Sequence, residues 1–245
     1  MNANARPRLL IVDDEPICRR AVADLALAFG LECDNAADGL SGLELARRQC
    51  YDLLLIDWRM PGMTGSEMME ALRADPQAAS RGSRMVLVTG ERVDAAQERA
   101  RGFDAVLAKP LSSEQLGQLL GTLVPSATSD PVGAVAVLLD DVAALASLGG
   151  SKALLQSLRQ MLVLELQADL LRMPEQRAAG AVPALRERLH QLTGGARYCG
   201  AVALAAAADQ WRQTIKAGLP DAEAWAHFQE TARATMTVIE SPPAP

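Results

Sequence analysis

Four runs of consecutive apolar residues in the first half of the chain each end abruptly on a polar group. Leu9 to Val12 ends in Asp13-Asp14, Leu53 to Ile56 in Asp57, Met85 to Val88 in Thr89-Gly90, and Ala105 to Ala108 in Lys109-Pro110. A weaker run lies near Leu31 to Ala36. A strand that is apolar at successive positions is buried on both faces, and the arrangement that buries both faces is a parallel sheet covered by helices on each side. Segments with helical periodicity near 16–29, 39–49, 66–74, 91–101 and 112–123 supply that cover. The alternation predicts five βα units in a doubly wound α/β domain.

The second half breaks this pattern. Long helical periodicities near 135–147, 151–172, 182–198, 201–217 and 221–238 follow one another, punctuated by Pro174, Gly180, Gly200 and Leu219-Pro220. They predict an all-α antiparallel bundle with short connections. Between the halves, Pro125-Ser-Ala-Thr-Ser-Asp-Pro131 reads as a linker. The expected organisation is a first domain over 6–124, a linker over 125–134 and a second domain over 135–240.

The composition excludes some roles. Of 245 residues, 49% are hydrophobic, enough for two cores, and the formal net charge of −6 argues against a binder of nucleic-acid phosphates. Aromatic residues are 3%, too few for base-stacking platforms. No stretch approaches the roughly 18 apolar residues of a membrane span, and the N-terminal apolar run is too short for a secretion signal. A soluble cytoplasmic protein without a membrane or nucleic-acid partner is expected. Cys18, Cys33, Cys50 and Cys199 are too scattered for metal-ligand spacing and read as reduced thiols. Lysine and histidine are scarce (Lys109, Lys152 and Lys216; His190 and His227), so chemistry that needs an ammonium or an imidazole has few candidates.

In an open parallel sheet, ligands bind beyond the carboxyl ends of the strands. Asp13, Asp14, Asp57, Thr89 and Lys109 all fall at such ends. Clustered carboxylates repel one another unless a cation joins them, and hard oxygen donors with open positions suit Mg²⁺, which bridges readily to phosphate. Thr89 and Lys109 suit phosphoryl oxygens, and Asp57 suits the nucleophile of a phosphoryl transfer onto a carboxylate. A single Asp after a strand is more often a cap or a turn residue; the ordered set is what carries the reading.

Residues 6–124 closely resemble the receiver domain of two-component response regulators. The matching residues are Ile11-Val12-Asp13-Asp14-Glu15, Asp57 with Met60-Pro61-Gly62-Met63, Thr89, and Lys109-Pro110. The resemblance implies a flavodoxin-like parallel five-stranded fold and a phosphorylated Asp57. It implies Mg²⁺ held by Asp13, Asp14, Asp57 and the backbone carbonyl of Arg59, phosphoryl oxygens held by Thr89 and Lys109, and a cis peptide before Pro110. It departs at Val106, where the family keeps its signalling aromatic, so the usual Thr-to-aromatic switch does not operate here.

In the second half, Leu185, Leu189, Leu192 and Ala196 form one apolar stripe at spacings of four, three and four. His190 points away from it, on a face shared with Arg186, Thr193, Gly194 and Arg197, and is expected to be exposed. A neutral accessible imidazole between arginines suits phosphorylation; a solvated surface histidine beside packing glycines is the plainer alternative. His190-Gln-Leu192-Thr-Gly194-Gly195-Ala196 … Gly200 resembles the signature of the histidine phosphotransfer (HPt) domain, a four-helix bundle. The resemblance covers about 135–240 and implies that His190 carries a phosphoryl group and that Arg186, Thr193, Gly194 and Arg197 face the docking partner. The family's common Lys is Thr193 here. His227 matches no motif.

Together the halves predict two-component phosphorelay signalling. Asp57 takes a phosphoryl group from the phosphohistidine of a sensor histidine kinase, and His190 exchanges one with a receiver aspartate. The protein is thus a phosphoryl carrier that catalyses its own Asp57 chemistry and has no ATP-binding kinase boxes. The competing reading is a docking adapter that binds a kinase or regulator without relaying. A dehalogenase-type phosphatase would need a second Asp where Arg59 stands, and a DNA-binding regulator would need a basic recognition helix. Gly149-Gly150-Ser151-Lys152 lacks the order of a phosphate loop.

Overall fold

The computed structural model describes residues 6–91, 93–121 and 138–241. The expected linker at 125–134 lies outside the described residues. The chain falls into two compact units, one within 1–124 and one within 125–245.

The first unit alternates β1 (Arg8–Val12), α1 (Pro16–Ala28), β2 (Glu32–Ala36), α2 (Gly39–Arg48), β3 (Leu53–Asp57), α3 (Gly65–Ala74), β4 (Arg84–Thr89), α4 (Ala95–Arg101), β5 (Ala105–Ala108) and α5 (Ser113–Leu119). The sheet is parallel with strand order β2-β1-β3-β4-β5, the flavodoxin-like order. Successive strand residues point to opposite faces. Leu10, Val12, Leu54, Ile56, Met85 and Leu87 therefore pack with Met68, Met69, Leu72 and Phe103 in one core layer. Their neighbours Leu9, Ile11, Leu53, Leu55 and Val86 are buried on the other face. Both faces are covered at β1, β3 and β4, as their uninterrupted apolar runs require, whereas the run of the edge strand β5 is only part-buried. The helix expected at 91–101 is shorter, because α4 starts only after Asp94 caps Ala96 and Gln97.

The second unit is helical: α6 (Asp141–Ser147), α7 (Lys152–Ala178), α8 (Val182–Tyr198), α9 (Val202–Lys216) and α10 (Ala222–Glu240). α7 packs on α8 and α10, and α9 packs on the same two helices, which closes a four-helix bundle. The short α6 packs on α7 and α8. Its core holds Leu158, Leu162, Leu166, Leu189, Leu192, Leu204, Trp211 and Phe228.

One expectation fails here. α7 does not stop near 172 but runs through Pro174 to Ala178. An internal proline removes a helix hydrogen bond at a cost of about 3 kcal/mol. Offsetting anchors lie on either side: Met173 is fully buried, and Arg177 forms a two-pronged ion pair with Asp221 at 2.7–3.0 Å.

Candidate functional site

The sheet register brings the candidate residues of the first unit together. Val12 lies opposite Ile56, so Asp13 and Asp57 leave neighbouring strands at the same level. Asp57 lies opposite Val88, which sets Thr89 one step further on. Thr89 lies opposite Ala108, and Lys109 follows. The site straddles β1 and β3, where the strand order reverses and open α/β sheets bind their ligands.

Asp13, Asp57 and Thr89 are buried, while Asp14 is half-exposed. The Lys109 ammonium reaches both carboxylates, 2.6 Å from Asp13 Oδ2 and 2.8 Å from Asp57 Oδ2. Burial pushes the Asp57 carboxyl up to about 7; Lys109 opposes this rise and Asp13 reinforces it. Burial alone would lower the Lys109 ammonium, but Asp13 and Asp57 outweigh it and hold that group well above its ordinary value. Lys109 thus offsets part of the negative charge that the clustered carboxylates bring together.

Local chemistry fixes these groups. The Asp13 carboxylate accepts from the Glu15 N–H at 3.0 Å, and the Glu15 carboxylate caps α1 through the N–H groups of Ile17 and Cys18. The Thr89 hydroxyl accepts from the Glu91 N–H at 3.1 Å, and the Thr89 carbonyl accepts from the Lys109 N–H at 2.8 Å. The peptide bond between Lys109 and Pro110 is cis. Gly65 begins α3 against the backbone of Asp57: a Cβ there would lie 2.2 Å from the Asp57 carbonyl oxygen, so a side chain at this position would force the backbone to shift.

Oxygens of Asp13, Asp14 and Asp57 all lie within 4.8 Å of one another. Three convergent carboxylates, one of them half-exposed, match the donor chemistry of a hard divalent cation that keeps part of its water shell. Two features escaped the sequence reading. The Arg59 side chain pairs with Glu91 at 3.5 Å, tying the loop after β3 to the loop after β4. The Arg19 guanidinium donates to the Asp13 carbonyl at 2.5 Å. A charge two residues beyond each of Asp57 and Thr89 was the available signal for the first; the second depended on a helix orientation that no local pattern shows. Val106 is part-buried against the core layer below the site.

In the second unit, α8 buries Leu185, Leu189, Leu192 and Ala196, the stripe expected from their spacing. His190 is half-buried rather than fully exposed, and Arg186, Gly194 and Arg197 are likewise intermediate. Thr193 departs from expectation. It is 4% exposed and its hydroxyl donates to the Leu189 carbonyl at 2.8 Å, so it cannot belong to a docking face. Arg197 pairs with Asp209 at 3.1 Å. Gly200 turns the chain from α8 into α9 with φ +69°, and a Cβ there would strike the Asp140 carbonyl at 2.4 Å. His227 is exposed on α10. Among the described residues no helix is long and apolar enough to cross a membrane.

Comparison with known proteins finds two domain families in the chain. Residues 9–120 match the response regulator receiver domain family and residues 157–240 match the Hpt domain family. The sensor protein GacS of Pseudomonas syringae pv. syringae is 30% identical over 89% of this chain, although the chain spans only 25% of that protein. The chemotaxis protein CheY of Pseudomonas aeruginosa PAO1 is 31% identical over 44% of this chain and 89% of its own length. The receiver domain of a sensor histidine kinase from the same organism was solved with a magnesium ion coordinated in its active site cleft. It is 26% identical over 47% of this chain and 95% of its own, with a TM-score of 0.43. The chain thus joins the two domain types of phosphorelay signalling. It belongs to the response regulator receiver family through its first unit and carries an Hpt domain in its second.

Proposed function

We propose that the protein is a two-site phosphoryl carrier in which Asp57 accepts from a phosphohistidine and His190 exchanges with a receiver aspartate. The observation that carries this reading is the buried Asp57 carboxylate, bridged to Asp13 by Lys109 at the sheet's switch point, on a chain that also presents His190 on α8. At Asp57, a carboxylate oxygen forms the new O–P bond while the donor's N–P bond breaks and its electron pair leaves on the imidazole nitrogen. Lys109, already within 2.8 Å of the Asp57 carboxylate, would bind a phosphoryl oxygen and balance the charge added there. The Thr89 hydroxyl, which accepts from the Glu91 N–H, would donate its proton in a hydrogen bond to a second oxygen. Asp13, Asp14, Asp57 and the Arg59 carbonyl would hold Mg²⁺, which would supply the further positive charge that a phosphoryl group among carboxylates requires.

At His190, the lone pair of the unprotonated ring nitrogen forms the N–P bond as the acyl O–P bond of an aspartyl phosphate breaks. The electron pair leaves with the carboxylate, and the other ring nitrogen keeps its proton. The partners are a sensor histidine kinase and other receiver domains, and the setting is the cytoplasm. The working boundaries are 6–124 for the receiver, 125–134 for the linker and 135–240 for the Hpt domain.

Phosphate labelling of Asp57→Ala and His190→Ala chains tests both sites. Base-labile label is expected to vanish with Asp57 and acid-labile label with His190. Label that persists in both variants overturns the assignments, and no transfer from any phosphorylated kinase favours a docking adapter instead.

A further inference from the structure

Among the described residues, most arginines of the helical unit have a built-in anionic or carbonyl partner. Arg159 is held by Asp141 and the Cys199 carbonyl, Arg177 by Asp221, Arg188 by Asp169 and Glu165, and Arg197 and Arg212 by Asp209. Of the three arginines on α8, Arg186 alone has no carboxylate partner among the described residues. It is half-buried, and its Nε is buried without a hydrogen bond. A buried guanidinium N–H that bonds to nothing is a net cost to the fold.

Its position indicates what the group serves. Arg186 stands one turn before His190 on the same helix, a spacing that puts the two Cβ atoms roughly 5–6 Å apart. Helical side chains lean toward the N-terminus, so the His190 imidazole leans over the turn that carries Arg186. The other candidates near His190 are disqualified by the structure. Thr193 is buried and bonded to the Leu189 carbonyl, and Arg197, on the C-terminal side, is occupied by Asp209.

We infer that Arg186 binds the phosphoryl oxygens in transit at His190, with its fork of N–H donors meeting two of them. The inference rests on the reading of His190 as a phosphoryl carrier and adds the group that stabilises the transferred charge. A planar guanidinium suits paired phosphoryl oxygens better than a point charge does, and the transferring group carries its negative charge on those oxygens.

The test uses the full chain carrying Asp57→Ala, which silences the first site, and phosphoramidate as donor. The donor's P–N bond breaks with its electron pair leaving on ammonia, a ring nitrogen of His190 forms the new N–P bond, and the other ring nitrogen keeps its proton. Mass spectrometry locates the label and its rate of appearance is followed. Arg186→Gln is expected to slow labelling of His190 at least tenfold, and sulfate is expected to inhibit the parent but not this variant. An unchanged rate in Arg186→Gln overturns the inference and leaves the carrier reading intact; no label at His190 in the parent overturns both. If Arg186→Gln loses helical circular dichroism, Arg186→Lys replaces it. That variant keeps the charge and loses the fork, so labelling several-fold slower than the parent supports the inference and an unchanged rate overturns it.

Discussion

Gly65 begins α3 against the backbone of Asp57, and a methyl group there would sit 2.2 Å from the Asp57 carbonyl oxygen. The obstacle is backbone, not the flexible end of a side chain, so the strand end or the helix must move. Gly65→Ala is expected to destabilise the receiver by about 1–3 kcal/mol, the usual range for overpacking, and to slow phosphorylation of Asp57 by displacing it. Gly82→Ala is the matched control: nothing lies within 4 Å of its added Cβ, and its effect on a urea denaturation midpoint should be near zero. Equal losses in the two variants would show that the close approach at Gly65 is not what limits this position. A second single-residue test lies one position further on. The Ser66 hydroxyl donates to Glu98 at 2.9 Å in a buried contact between α3 and α4. Ser66→Ala leaves that carboxylate with an unmet acceptor and should cost about 1–3 kcal/mol, read from the same denaturation curves.

Among the elements, the clearest electrostatic device is the clasp between the C-terminal end of α7 and the start of α10. Asp221 takes a two-pronged ion pair from Arg177 and a hydrogen bond from the Trp211 indole at 3.0 Å. The Arg177 bond, followed by that from Trp211, holds the Asp221 carboxyl below its ordinary value. A carboxyl lowered by folding stabilises the fold above its unfolded value, near pH 4, and that contribution is lost as pH falls through the lower folded value. The stability gap between the parent and Asp221→Asn should therefore be full at pH 7 and shrink below about pH 4. Tryptophan fluorescence during denaturation reports it, since Trp211 packs in tilted contacts with Trp225 and Phe228 beside the clasp. A gap that stays constant down to pH 2 would mean that the carboxylate charge contributes nothing. The clasp also explains why the end of α7 was illegible in the sequence: Pro174 is a local stop signal, and the contact that overrides it lies 44 residues away from Arg177. Thr193 has a similar cause. A helical wheel with one apolar stripe places it beside His190, but α8 packs on both α7 and α9, so its buried arc takes in Thr193 and Gly195 as well as the stripe. By contrast, the strands of the first unit were legible to within about a residue. Burial on both sheet faces leaves an unbroken apolar run at β1, β3 and β4, and the polar residue that ends each run falls in the candidate site. The Arg59–Glu91 pair was not legible, because it joins two loops whose proximity only the sheet order determines.

For the molecule as a whole, two compact units with separate cores should show two separately addressable stabilities. Leu54 and Leu166 are fully buried, one in each core, and Leu→Ala at either should cost about 2–5 kcal/mol. In a calorimetric scan each substitution is expected to lower one transition, which assigns the transitions. The proposed cation site then makes a sharper demand. A ligand that binds only the folded state stabilises that state by RT ln(1 + [L]/Kd), about 2.7 kcal/mol at a concentration of 100 Kd. Oxygens of Asp13, Asp14 and Asp57 converge within 4.8 Å in the first unit. Mg²⁺ should therefore raise the transition that Leu54→Ala lowers, leave the other in place, and lose its effect on addition of a chelator. Asp13→Asn removes one carboxylate from the cluster together with its ion pair to Lys109, while the Asp57–Lys109 pair remains, so its stabilisation by Mg²⁺ should fall well below the parent's. The response to the ion, rather than the ion-free stability, separates a cation site from a merely structural acid. An ion-pair partner lost from Lys109 would lower stability with or without Mg²⁺, whereas a lost metal ligand shows itself only in the response to the ion.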